Sequence, residues 1–142
     1  MKIVQIKEYS DEVLAALNNL MPQLSSSFGP LSQQDLIDIV ESEASSLFMA
    51  RQNEQYYGSL TLVMFKIPSG FRAWIEDVVV SEAARGKGVG KKLVDLAVEL
   101  ANQSNVKSID LTARASRVAA IALYKKAGFQ DRETTAYRYF GT

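Results

Sequence analysis

Three glycines in five residues, Gly86, Gly88 and Gly90, stand between the β-branched run Val78-Val79-Val80 and an apolar stripe of helical spacing that begins at Val89. No other feature restricts the fold as much. A strand must end, the chain must turn through residues lacking a Cβ, and a helix must open at once. Alternating glycines at a helix start leave a row of backbone N–H groups uncrowded. With the positive end of the helix dipole and the neighbouring Arg85 and Lys87, that row suits a di-anion such as a pyrophosphate. An ordinary strand-to-helix turn needs only one or two such glycines, so the segment is expected to bind a phosphorylated cofactor.

Two familiar nucleotide loops fail on spacing. In a Walker A loop four residues separate the first glycine from a Gly-Lys that is followed by Ser or Thr. Here Arg85 holds the first position and Lys92 the last. The dinucleotide pattern G-x-G-x-x-G would place its third glycine where Lys91 stands.

The rest of the chain bounds the chemistry. Its 142 residues suit a single domain, 1–142, with one sizeable core. Sixteen basic residues balance sixteen acidic ones, which argues against a general nucleic-acid binder. No apolar run is long enough to span a membrane and no signal pattern opens the chain, so a cytoplasmic location is expected. With no cysteine there is no disulfide, thiolate metal site or cysteine nucleophile, and with no histidine there is no imidazole base. Proton transfer falls to Glu, Asp, Tyr, Lys or water, and no metal is expected.

Periodicity gives the order of elements. A strand over 3–6 precedes a helix capped by Ser10, with Val13, Leu17, Leu20 and Met21 on one face and Pro22 as its end. A loop over 23–30 leads to a second helix, with Ser32 and Asp35 as a capping box and Leu36, Ile39 and Val40 apolar. Strands follow over 47–51 and 55–66, joined at Asn53-Glu54, and the turn Pro68-Ser69-Gly70 opens a strand over 73–80. The helix after the glycines carries Val89, Leu93, Leu96, Ala97 and Leu100 on one stripe. A strand over 108–112, a helix burying Ala119, Ala120, Leu123 and Ala127 and ending at Gly128, and a last strand over 135–140 complete an α/β sandwich around a mixed sheet.

The segment Arg85-Gly86-Lys87-Gly88-Val89-Gly90, read as R-x-x-G-x-G directly after a strand, resembles the acyl-CoA-binding segment of the GNAT N-acetyltransferases. About thirty residues on, Ala120-Ile121-Ala122-Leu123-Tyr124-Lys125-Lys126-Ala127-Gly128-Phe129 is similar to the A-x-x-L-Y-x-K-x-G-F helix of that family. The likeness covers 74–140; before it, only the order of elements matches. It implies the GNAT acyl-CoA N-acyltransferase fold, a mixed and mostly antiparallel sheet flanked by helices. It also implies acetyl-CoA as co-substrate and a primary amine, of a small molecule or a peptide, as acceptor.

Residue by residue, the resemblance places the pyrophosphate on the amides of 85–90. It places the pantetheine arm along the main chain of Val78, Val79 and Val80, where the strand parts from its neighbour. Tyr124 takes the place of a tyrosine near the cofactor sulfur, able to protonate the leaving thiolate. Lys126 lies within reach of the 3′-phosphate. Arg117 stands where the family commonly has asparagine, which keeps a donor near the cofactor. Where the family uses a carboxylate base it commonly lies on the strand before the glycine loop. Glu76 is the first choice and Asp77 the second, because neighbours on a strand face opposite sides. The alternatives remain open at this point: a core tyrosine, an exposed carboxylate pair, and a non-catalytic CoA-binding or regulatory domain of the same fold. The expected partners include no nucleic acid and no membrane, and a homodimer is left open.

Overall fold

Asn53 and Glu54 both take positive φ, 52° and 64°, a left-handed pair that matches the twist of the strands it joins. They reverse β2 (Ser45–Gln52) into β3 (Gln55–Ile67), and a second reversal leads into β4 (Gly70–Val80). The structure, a computed structural model, describes residues 1–141. The remaining elements are β1 (Lys2–Ile6), α1 (Asp11–Leu24), α2 (Gln33–Glu41), a 3₁₀ turn over Glu82–Ala84, α3 (Val89–Gln103), β5 (Ser108–Asp110) and α4 (Val118–Lys126). The five strands lie side by side in chain order. All pairs are antiparallel except β4 with β5, which is parallel. The fold is therefore the expected α/β arrangement, a mixed and mostly antiparallel sheet flanked by four helices. Among the described residues, no helix is long and apolar enough to cross a membrane.

Each face of the sheet has its own core. Val13, Leu17 and Leu20 of α1 and Leu36 of α2 pack on Leu47, Met49 and Val79. Val89, Leu93, Val94, Ala97 and Ala101 of α3, with Tyr124 of α4, pack on Phe48, Ala50, Leu60, Leu62, Ala73, Ile75 and Val78. The alternation Leu47, Phe48, Met49, Ala50 divides β2 between the two layers, as a strand covered on both faces requires. Ser10 caps α1 by accepting from the Val13 amide, and Ser32 and Asp35 close a reciprocal capping box on α2, as their spacing predicts.

Several expectations are corrected. Helix α1 runs through Pro22 to Leu24. The proline forgoes one bond, to the Asn18 carbonyl, near the end of the helix, and the backbone bonding continues past it to the Ser25 N–H, which donates to the Met21 carbonyl. The loop after α1 is tied down by the Asn18 amide, which bonds both the N–H and the carbonyl of Leu31. On α3 the buried stripe includes Val94 and Ala101, while Leu96 and Leu100 are half-buried. Strand β5 stops at Asp110, and on α4 only Tyr124 is buried, with Ala119 exposed. Residues 135–140 form no strand. Their alternation meets no partner strand within the described chain, and strand preference expresses side-chain packing on a neighbour more than any intrinsic backbone choice.

Candidate active site

Strand β4 breaks the two-residue repeat at Asp77. Thr61 pairs with Glu76 and Ser59 with Val79, so two residues of β4, Asp77 and Val78, stand opposite Leu60 alone. Asp77 is the inserted residue, with φ of +51°, a conformation that aspartate tolerates better than most. The bulge reverses which residues face which layer. Ala73 and Ile75 pack against α3 before it, and Val78 and Val80 do so after it, with Val79 on the other side. The expectation that Glu76 and Asp77 face opposite sides rests on unbroken alternation, which the bulge interrupts between them; both residues lie along one cleft.

That cleft opens where the sheet divides. Pairing of β4 with β5 ends at Trp74 and Asp110, so the β5-facing edge of β4 is unpaired from Ile75 to Val80. The space between, about 440 Å³, is lined by β4 from Ile75 to Val78, by the chain from Leu111 to Arg114 with Ser116 and Arg117, and by Tyr124, with Leu24 and Ser25 at the end of α1. The Trp74 indole donates to Glu76 Oε1 at 2.6 Å and fixes that carboxylate. Burial raises the Asp77 carboxyl above its ordinary value. Burial also raises the Tyr124 phenol, against a smaller opposing pull from the charge of Arg117, so the phenol keeps its proton across the physiological range. The Tyr124 side chain is buried at the mouth of the cleft, and its hydroxyl makes no hydrogen bond within the described chain.

The glycine segment adjoins the upper end of β4. Gly86 and Gly88 take φ of +78° and +77°, with open space where a Cβ would stand. Gly90 serves packing instead. Its Cβ would come within 2.9 Å of Leu123, so the missing side chain lets α3 close on α4. Helix α3 starts without a side-chain cap. Its first intrahelical bond runs from the Lys92 N–H to the Gly88 carbonyl, and the amides from Gly86 to Lys91 donate to nothing within the described chain. The start of a 15-residue helix thus leaves a row of donors without partners in the described chain, flanked by the exposed Arg85 and Lys87. This is the chemistry a pyrophosphate requires. Val89 is buried in the core beneath that row.

A model of the acetyltransferase (GNAT) family matches residues 13–129. The chain belongs to the GNAT acetyltransferases. This GNAT chain is 30% identical over 93 residues to N-alpha-acetyltransferase MAK3 of Arabidopsis thaliana, covering 66% of this chain and 48% of that protein. It is 30% identical over 118 residues to the mycothiol acetyltransferase of Renibacterium salmoninarum, covering 78% and 35%. The chain spans half or less of the length of these curated relatives. An aminoglycoside acetyltransferase from an uncultured soil metagenomic sample shares the fold with a TM-score of 0.87 at 18% identity, over 99% of this chain and 95% of that one. Glucosamine-6-phosphate N-acetyltransferase from Arabidopsis thaliana does so with a TM-score of 0.80 at 18% identity, over 99% and 100%. Membership of the family supports acyl transfer, and its members generally use acetyl-CoA.

Of the residues singled out from the GNAT resemblance, Glu76, Val78, Arg117 and Tyr124 line the cleft, as does Asp77. Gly86 to Gly90 belong to the amide row beyond the end of β4, whereas the Arg85 amide donates to the Glu82 carbonyl, and Val79 and Val80 complete β4. Lys126 is exposed on the last turn of α4 and lies outside the cleft lining. Two features escape sequence reasoning. Arg114 joins Arg117 at the entry to α4, where the Arg117 N–H bonds the Arg114 carbonyl at 2.9 Å. Its signal is the three-residue spacing of two arginines ahead of a helix. Trp74 holds Glu76 from two residues away, the spacing of same-face neighbours on a strand.

Proposed function

We propose that residues 1–142 act as one catalytic domain that transfers the acetyl group of acetyl-CoA to a primary amine by direct attack in a ternary complex. The observation that carries this reading is the bulge at Asp77. It lies on a cleft lined by Glu76, Asp77 and Tyr124, beside a strand edge with no partner strand and an uncapped helix start, which supports the reading. The amides of Gly86 to Lys91 suit the pyrophosphate, and the free edge of Val78 to Val80 suits the pantetheine amides as an added strand would. An N–H on that edge would polarise the thioester carbonyl and hold its developing negative charge.

Glu76, fixed by Trp74, orients the substrate ammonium. Asp77 removes its proton directly or through a water, since burial lifts its basicity toward the working pH. The free amine attacks the carbonyl carbon, the carbon–sulfur bond breaks, the departing thiolate takes the proton of Tyr124, and the second proton shed by the amine nitrogen as it becomes an amide restores the phenol through water. With no cysteine in the chain, an acyl-cysteine intermediate is ruled out. The acceptor is an amine of a small molecule or a peptide.

Amine-dependent release of free thiol from acetyl-CoA, measured over a panel of amines, tests the activity. Tyr124→Phe is expected to lower kcat about 100-fold with CoA affinity nearly unchanged. A wild-type rate in this variant would make Tyr124 a packing residue and leave the thiolate to solvent.

A further inference from the structure

Four charged side chains line the cleft, and its two sides differ in sign. Glu76 and Asp77 belong to β4, whereas Arg114 and Arg117 belong to the chain that leads from β5 into α4. None of the four has an ion pair among the described residues. Neither guanidinium makes a hydrogen bond there, although Arg117 is half-buried. Burial raises the Asp77 carboxyl, with no nearby cation offsetting it. The two signs thus share a space of about 440 Å³ without pairing across it. Elsewhere on the surface the chain does pair them, as Lys91 does with Asp95 at 2.6 Å. A half-buried guanidinium without a counter-ion has lost hydration and gained no partner, a deficit that a bound anion removes.

We propose that the acceptor amine also carries an anionic group, a carboxylate or a phosphate, which Arg114 and Arg117 hold while its ammonium meets Glu76 and Asp77. The proposal rests on the acyl-transfer reading above and narrows its acceptor. A monoamine without an anion would answer the carboxylates and leave both guanidiniums bare. A diamine would set a second cation against them. Only an acceptor with both signs answers both sides of the cleft. The guanidinium fork suits either anion, since carboxylate and phosphate oxygens each accept two parallel N–H bonds. Thr112 and Ser116, on the same stretch of chain, add hydroxyl donors. Arg114 is exposed and has no other role, whereas the charge of Arg117 also acts on the Tyr124 phenol. Arg114 is therefore the residue that sets the preference. Acetylation cancels the ammonium charge and leaves the anion, so the product loses its attraction to Glu76 and Asp77 and binds more weakly than the substrate.

Thiol release by the full chain, with matched amines at one pH and ionic strength, tests the inference. The pairs are γ-aminobutyrate against its amide and ethanolamine phosphate against ethanolamine, with putrescine as the doubly cationic member. In the favoured pair kcat/KM is expected to be at least about tenfold higher for the anionic amine, and which pair shows it tells carboxylate from phosphate. The advantage should shrink as salt rises, and putrescine should be the poorest acceptor. Arg114→Gln should reduce the ratio to about threefold or less through KM, with CoA affinity unchanged, and Arg114→Lys should restore part of it. Neutral amines that match their anionic partners would overturn the inference and leave the activity standing. An Arg114→Gln variant that loses CoA affinity in step with the amine would overturn it too, because the arginines would then serve the cofactor. Calorimetric binding of the same amines to the CoA-saturated protein reads the preference without turnover. An anionic amine that binds in preference and is never acetylated would uphold the anion site and overturn the transferase reading instead.

Discussion

Strand β4 and residues 134–140 both carry the alternating β-branched and aromatic pattern of a strand, and only β4 becomes one. Strand β4 has β3 along its length, β5 along its first part, and a helical layer on each face. Residues 134–140 have the same kind of side chains and no partner strand within the described chain. The pattern specifies a surface to be covered, and the fold decides whether anything covers it. Where β4 departs from an ideal strand, at Asp77, the departure is held in place by the packing on either side of it, and the candidate site lies there. Irregularity under constraint positions chemistry; regularity without a partner positions none.

Pairs of substitutions can break or sharpen this contrast. The largest effect is expected at the bulge. Glu76→Gln and Asp77→Asn should each lower kcat about 100-fold at neutral pH, and less at high pH, where the free-amine fraction of the acceptor rises unaided. Because burial lifts the Asp77 carboxyl, the acid limb of the wild-type pH–rate profile should lie above the ordinary aspartate value. A defect confined to Glu76→Gln would mean that simple alternation governs and that the bulge carries no chemistry.

The two glycines Gly88 and Gly90 should separate binding from packing. Gly88→Glu forces a side chain into a left-handed conformation and sets a carboxylate beside the anion site, so acetyl-CoA affinity should fall at least about tenfold, roughly 1.4 kcal/mol. Gly90→Leu drives a side chain into Leu123 and should cost about 1–3 kcal/mol of stability. Isothermal titration and denaturant melts read the two effects. Equal loss of CoA affinity in both, with unchanged stability, would make the glycines equivalent and erase the distinction drawn from their surroundings.

The smallest effect concerns stability at the bulge. The folded chain binds the Asp77 proton more tightly than the unfolded chain does. Stability is therefore highest below the unfolded pKa, falls as pH rises through the window between the unfolded and folded values, and stays reduced above it. Asp77→Asn, which suits the left-handed backbone equally well, should raise Tm slightly at neutral pH and leave it unchanged at acid pH. A lower Tm at neutral pH would mean that the carboxylate is held by attraction instead of tolerated against burial.

The sequence makes the glycine segment legible because both of its demands, a left-handed backbone and close helix packing, are met by the same small residue and leave a dense mark. Order and type of the first nine strands and helices follow from periodicity and capping, down to the box at Ser32 and Asp35. The bulge leaves almost no mark. Aspartate at a left-handed position is a weak signal inside a run that otherwise alternates, so simple alternation sends Glu76 and Asp77 to opposite faces. Pro22 misleads because a proline in the last turn forgoes a single backbone bond, and the helix runs on to Leu24. The fate of 135–140 is illegible for a different reason, since pairing depends on an edge that no local pattern describes.

The inserted residue at Asp77 also sets the phase of everything beyond it. Residues before and after the bulge address the two layers in opposite parity, so deleting one residue there would send Val78 and Val80 toward α1 and Val79 toward α3. Exchanging the side chain at 77 leaves that parity intact. Drift in this chain should therefore be able to alter which group stands at the bulge, and with it the acceptor, while any change in the number of residues between Ile75 and the glycine loop would scramble both cores at once.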